Sequence, residues 1–150
     1  MTQEQIISKL TAVCARAEHC KDDMLRRMQR WQVDEATQRE VISYLVKEKY
    51  IDEERYARFF INDKIKYNRW GRRKVEQALY FKHISREVYE PLLDDVANED
   101  FESVLLPLLQ NKEKSLKYAN DYEKRMKLLR FAMQRGFSYE QADKCINLLK

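Results

Sequence analysis

Apolar residues recur at three- and four-residue steps along the whole chain, the spacing of one buried helical face. Residues 4–17 form the first such segment, through Ile6, Ile7, Leu10, Val13 and Cys14. Lys21–Gln32 form the second, through Met24, Leu25 and Met28. Thr37-Gln38-Arg39-Glu40 has the form of a capping box and is expected to open a helix through Val41, Ile42, Leu45 and Val46, ending near Lys49-Tyr50. Asp52–Asn68 is a longer helix with Asp52 as its N-cap, Glu53 and Glu54 at the positive end of the dipole, and Tyr56, Ala57, Phe60, Ile61 and Ile65 inward. Arg72–Lys82 is short and uses Val75, Ala78 and Leu79; Ser85–Ala97 follows behind a serine cap with Val88, Leu92 and Leu93. Phe101–Tyr118 runs through Val104, Leu105, Leu108 and Leu109, with Pro107 expected to kink or break it. Asp121–Gln134 presents Met126, Leu129 and Met133, and Ser138-Tyr139-Glu140-Gln141 repeats the capping-box form ahead of Ala142, Cys145, Ile146 and Leu149.

The helices fall into a repeat. Val33-Asp34, Ile84-Ser85 and Phe137-Ser138 each place an apolar residue before a small polar cap, at intervals of roughly 50 residues. The expected architecture is all-α: three tandem three-helix repeats with helix-turn-helix-like outlines, over residues 1–50, 51–97 and 98–150. Each repeat is too small to bury its own faces. Composition agrees, because only 2 Gly and 2 Pro occur in 150 residues, too few for a fold built on tight turns. A hydrophobic fraction of 44% beside 36% charged residues excludes both a disordered chain and a membrane-embedded one.

Charge changes the picture more than composition does. The net charge is only +4, yet Lys64, Lys66, Arg69, Arg72, Arg73 and Lys74 follow one another without an intervening acid, with Tyr67 and Trp70 between them. Ser85–Glu102 is strongly acidic, and Lys112–Arg135 is basic again. Such blocks predict separate basic faces. The first block is the candidate polyanion surface: its cations can neutralise phosphates, and an aromatic ring among them can stack on a base. Lys124, Arg125, Lys127 and Arg130 form a second candidate of the same kind, spread around a helix so that some of them simply face solvent. Gly71 stands where backbone freedom or a close approach is needed just before a helix.

No catalytic constellation emerges. There is no glycine-rich phosphate loop and no nucleophile with a placed base, and His19 and His83 are isolated. Cys14, Cys20 and Cys145 lack the spacing of a metal site, so no metal, cofactor or disulfide is expected and the thiols are read as reduced and packed. No apolar run reaches the ~20 residues of a membrane span, and the first residues, Met-Thr-Gln-Glu-Gln, lack the basic start of a secretory signal. A cytoplasmic protein is expected.

Tyr50-Ile51-Asp52-Glu53-Glu54-Arg55-Tyr56-Ala57 resembles the aromatic/aliphatic-Asp-Asp-x-Arg-aromatic-Ala box of the RecX family, bacterial regulators of the RecA recombinase. Ile51, Asp52, Arg55, Tyr56 and Ala57 match that box; Gly71, Lys74, Val75, Leu79 and Lys82 match the family's second segment. Arg135-Gly136-Phe137-Ser138 is similar to its third-repeat turn. Glu53 replaces an Asp of the pattern, and Lys49 and His83 stand where the family has glycine, which predicts helix ends closed by something other than a left-handed glycine. The resemblance implies a curved, elongated, all-helical protein without catalytic activity. It would bind RecA–single-stranded-DNA filaments as a monomer, with duplex DNA bound weakly at most, and inhibit recombinase, ATPase and co-protease activity in DNA repair and the SOS response. The motif residues are read as mainly structural: Asp52 capping, Tyr56 packed with its hydroxyl toward a partner, and Arg55 paired with an acid one turn away. A helix-turn-helix transcriptional regulator reading duplex DNA is the rival expectation, and a repeat that meets acidic proteins only is a third.

Overall fold

The computed structural model describes residues 1–149, and among them every regular element is helical. The order is α1 (Gln3–Arg16), α2 (Lys21–Arg30), α3 (Glu35–Lys47), α4 (Glu53–Lys66), α5 (Arg72–Phe81), α6 (Arg86–Asp94), α7 (Asn98–Ser115), α8 (Asp121–Gln134) and α9 (Tyr139–Asn147).

Caps set most of these starts. Ser138 and Gln141 exchange side-chain and backbone bonds of 3.1 and 3.2 Å ahead of α9, the reciprocal box read from the sequence. Thr2 and Gln5 form another ahead of α1. Asp52 accepts from the Arg55 N–H at 2.9 Å and starts α4. The expected box at Thr37 does not form. Asp34 is the cap, its carboxylate taking the Thr37 N–H at 3.1 Å and the Thr37 hydroxyl at 2.7 Å, so α3 begins before Thr37 and that hydroxyl is already engaged. Nor does Pro107 break α7, which starts at Asn98 and runs through it to Ser115. The Ser103 carbonyl forgoes its helical donor there at an exposed position, where water can replace it.

Four helices end in one and the same left-handed turn. Gln32 (φ 59°), Lys49 (φ 62°), His83 (φ 61°) and Gly136 (φ 97°) each follow a helix. In each case two N–H groups return to carbonyls of the last turn, as His83 does to Tyr80 and Ile84 to Leu79. The ends at Lys49 and His83 are thus closed without a left-handed glycine, as the sequence predicts, yet in the same left-handed conformation; the paired backbone bonds outweigh a cost of ~1 kcal/mol per non-glycine residue. At three of the four turns, Gln32, His83 and Gly136, an apolar residue comes next (Val33, Ile84 and Phe137), followed by Asp34, Ser85 and Ser138. This turn, made three times over, is what the ~50-residue period of the sequence encodes.

By packing, the chain divides into two compact units, one of residues 1–59 with 79–89 and the other of residues 60–78 with 90–150. In the first, α3 packs on α1 and α2 around Ile6, Leu10, Met24, Met28, Val41, Leu45 and Ile51. Each such fully buried side chain contributes ~2 kcal/mol of transfer free energy. In the second, α9 packs on α7 and α8, burying Phe101, Leu105, Leu109, Leu128, Ala132 and Cys145.

Two consecutive acids tie the α5–α6 turn into the first unit. Asp22, 8% exposed, accepts from Arg26 Nε at 2.8 Å and lies 2.9 Å from His83 Nδ1. Asp23 accepts from Lys82 Nζ at 2.6 Å and lies 3.1 Å from His19 Nδ1. Burial works against the Asp23 carboxylate, but its bonds to Lys82 and His19 outweigh that and hold the carboxyl below its usual range. A lowered carboxyl stabilises the fold above its unfolded value, about 3.9, and that contribution disappears as pH falls through the lower folded value. Asp23→Asn should therefore cost ~1–2 kcal/mol near neutrality, and the gap to the parent should close below about pH 4. Urea unfolding at a series of pH values measures it; a gap independent of pH would contradict the assignment. Burial also pushes the neighbouring Cys20 thiol up to about 11, which keeps it protonated and unreactive.

Candidate nucleic-acid interface

The basic connector between α4 and α5 lies in the second unit and is fixed by backbone contacts. After α4, Arg69 takes a left-handed conformation (φ 58°) and the Trp70 N–H reaches the Lys64 carbonyl at 3.1 Å. Gly71 N–H then donates to the Arg135 carbonyl at 2.8 Å, and Arg73 N–H to the Gly136 carbonyl at 3.1 Å. The turn between α8 and α9 thus satisfies a free donor in the first turn of α5. The Arg135 guanidinium adds a bond to the Asn68 carbonyl at 3.4 Å.

This approach needs both glycines of the chain. A Cβ on Gly71 would lie 2.4 Å from the Gly136 carbonyl carbon and from the Phe137 nitrogen; one on Gly136 would lie 2.6 Å from the Lys74 Cβ and nitrogen. Those distances are far inside van der Waals contact, and the atoms met are mostly backbone that cannot swing aside. Gly71 is there for close approach, and Gly136 both for that and for its positive φ.

On this frame Trp70 is half-buried and carries cations on its ring. Lys74 Nζ lies 4.8 Å and Lys64 Nζ 5.4 Å from the ring centroid, and Lys64 also sits over Phe60 at 5.3 Å. The indole braces charge more than it offers a free face. Tyr67 does offer one, being 71% exposed with Lys66 Nζ 5.4 Å from its ring.

Carboxylates sort the two basic blocks. In the first, Lys64 is 3.8 Å from its neighbour Asp63, and Arg72 bonds both Glu76 and Asp94 at 2.7 Å. Burial opposes the Arg72 charge, but those two acids outweigh it and raise its pKa further. Among the described residues Lys66, Arg69, Arg73 and Lys74 have no carboxylate within ion-pair distance. In the second block Lys124 pairs with Glu113 at 2.6 Å, Arg125 with Asp143, and Lys127 with Glu123 at 2.9 Å. Arg125 further bonds Asn147 at 2.9 Å, and Lys127 the Lys117 carbonyl at 2.7 Å. Only Arg130 of that group is exposed and unmatched among the described residues. The first block is a cationic surface, and most of the second is consumed internally.

The motif residues serve the fold. Ile51, Ala57, Val75, Leu79 and Phe137 are buried, as is Tyr56 at 6% exposure, where burial raises its hydroxyl pKa. Arg55 departs from expectation. Its Nε bonds Glu18 at 2.5 Å, and its terminal nitrogens donate to the Lys49 and Tyr50 carbonyls at 3.2–3.3 Å. The partner is thus in the α1–α2 connection and not one turn away, because the fork geometry fits the carbonyls of the left-handed turn. Arg135, read from the sequence only as part of the Arg135–Ser138 turn, has a role of its own: its side chain lies over Phe131 at 5.2 Å while its carbonyl holds Gly71. Its place beside Gly136 was the available signal.

Comparison with known proteins follows the same segments. Residues 52–91 match the family pattern described as RecX, second three-helix domain, and residues 99–146 that described as RecX, third three-helix domain. A regulatory protein RecX of Finegoldia magna is 33% identical over 106 residues, covering 69% of this chain and 51% of that protein. One of Clostridium tetani is 32% identical over 118 residues, covering 77% and 54%. One of Vibrio parahaemolyticus is 29% identical over 108 residues, covering 72% and 68%. The chain spans about half the length of most of the curated relatives it matches. A crystal structure of RecX from Lactobacillus salivarius superposes with a TM-score of 0.82 at 17% identity over 97% of both chains. A second crystal structure, of regulatory protein RecX, gives 0.89 at 15% identity over 97% of this chain and 73% of the other.

Proposed function

The chain belongs to the RecX family, and from that premise we propose that it is a regulatory protein that binds RecA–single-stranded-DNA filaments and inhibits the recombinase, ATPase and co-protease activities of RecA in DNA repair and the SOS response. The observation that carries this reading is the connector face, where Lys66, Arg69, Arg73 and Lys74 stand without carboxylate partners on a backbone held by Gly71 and Gly136. A fixed cluster of uncompensated cations neutralises phosphates and releases their counterions at little ordering cost. The action is binding, not chemistry, by a monomer in the cytoplasm, built of repeats over residues 1–50, 51–97 and 98–150. Among the described residues no helix is long and apolar enough to cross a membrane.

The helix-turn-helix alternative fares worse on charge in the second and third repeats, while α3 of the first carries Arg39 and Lys47 beside Glu35 and Glu40. In that geometry the last helix of each repeat would enter the major groove. Here α6 carries Glu87, Glu90 and Asp94, and α9 carries Glu140 and Asp143. Those helices would bring carboxylates up to phosphates.

The single-stranded-DNA-dependent ATPase rate of the cognate RecA, titrated with this protein at two salt concentrations, tests the proposal. Inhibition below one protein per RecA is expected, weakening as salt rises. An unchanged rate, together with sequence-specific binding of duplex DNA by the folded protein, would replace this reading with the transcriptional one.

A further inference from the structure

The groove between α2 and α3, in the first unit, plays no part in the function proposed above. It is an open groove with a volume of about 530 Å³. Leu25, Ile42 and Val46 form its apolar floor, Val46 being 41% exposed. Lys21, Arg39 and Lys47 stand on its rim, and no lining residue is acidic. Among the described residues none of the three cations has a carboxylate within ion-pair distance. This differs from the basic surface of α8, where Lys124, Arg125 and Lys127 are each matched by an acid.

We propose that this groove docks an acidic amphipathic helix of a partner protein, its apolar residues on Leu25, Ile42 and Val46 and its carboxylates on Lys21, Arg39 and Lys47. The floor argues against a polynucleotide, whose phosphates gain nothing from an exposed valine flanked by two half-buried aliphatic side chains. The rim argues for a helix. Arg39 and Lys47 are eight residues apart on α3, about 12 Å along its axis, so an adjacent helix meets both with carboxylates about two turns apart. A third helix laid against a two-helix groove then buries its apolar stripe by the ordinary packing of ridges into grooves. Unmatched cations around an apolar floor supply both attraction and orientation, since a basic helix of the same shape is repelled.

The test is a fluorescein-labelled helical peptide about four turns long, with leucines on one stripe and glutamates flanking it, titrated with the full chain by fluorescence anisotropy. Saturable binding is expected. It should weaken about tenfold in Arg39→Glu/Lys47→Glu, and comparably in Val46→Asp or when the glutamates of the peptide become glutamines. All the protein substitutions are at exposed positions, and unchanged melting curves would show that the fold is kept. Substituting Lys66, Arg69, Arg73 and Lys74 should leave peptide affinity unchanged, which separates this proposal from the filament reading. Absence of saturation up to about 1 mM peptide, or equal affinity for the parent and both groove variants, overturns it. So does loss of oligonucleotide affinity in Arg39→Glu/Lys47→Glu with no effect of Val46→Asp, which would make the rim a phosphate site.

Discussion

Gly71→Ala is expected to cost about 3 kcal/mol or more, lowering the melting temperature by roughly 6–12 °C in a chain of this size. The new Cβ would lie 2.4 Å from backbone atoms of Gly136 and Phe137, so the first turn of α5 and the α8–α9 turn must separate. Separation breaks the bonds from Gly71 N–H to Arg135 and from Arg73 N–H to Gly136, leaving donors that had been satisfied. Gly136→Ala should be at least as harmful, because it adds a left-handed alanine at φ 97° to a 2.6 Å overlap with Lys74. The double variant should cost clearly less than the sum, since either change alone already opens the same contact. Thermal unfolding followed by circular dichroism decides the matter. A Gly71→Ala protein that melts within about 2 °C of the parent would mean that the two turns have room to yield.

The second large effect concerns binding. Replacing Lys66, Arg69, Arg73 and Lys74 together by alanine should weaken binding to the filament or to single-stranded DNA about 100- to 1,000-fold at low salt. The slope of log affinity against log salt should also flatten by up to about 3, at ~0.7 per phosphate released. Replacing Lys124, Arg125 and Lys127 is the matched comparison. Those side chains already bond Glu113, Asp143 and Glu123, so their loss should change the salt slope by less than about 1 and act mainly on stability. Equal effects of the two sets would show that binding responds to net charge alone and that the connector has no privileged role. Arg72 is left out of the first set, since its bonds to Glu76 and Asp94 would turn a binding experiment into a stability one.

Most of the helices were legible because their apolar positions keep one period and their caps are local. Ser138 and Asp52 declare themselves within three residues of the donors they satisfy. Thr37 misled because its capping pattern is real, but Asp34 stands three residues earlier and reaches it first. The left-handed turns at Lys49 and His83 were hidden because each is held by two backbone bonds, which require no particular side chain at the turn. The basic blocks were visible as charge, but their different fates were not. Whether a lysine is matched depends on partners elsewhere in the chain, as Arg125 is matched by Asp143, 18 residues on. Trp70 illustrates the same limit: its place among cations could be read, while the two ammonium groups on its ring follow only from the folded connector.

The connector also carries a consequence for the order in which the protein is made. Its shape depends on the Arg135 and Gly136 carbonyls and on the Arg135 side chain, which reaches back 67 residues to Asn68. On the ribosome, Lys66–Lys74 emerge well before those partners exist. A nascent chain that has completed α5 therefore holds its cations on a loose segment, and must order them at the moment of any encounter with a polyanion. The cationic face takes its fixed form only when the turn ahead of α9 has been synthesised and packed, so the tight polyanion binding proposed for it would arrive late and all at once, with the closing of the second unit.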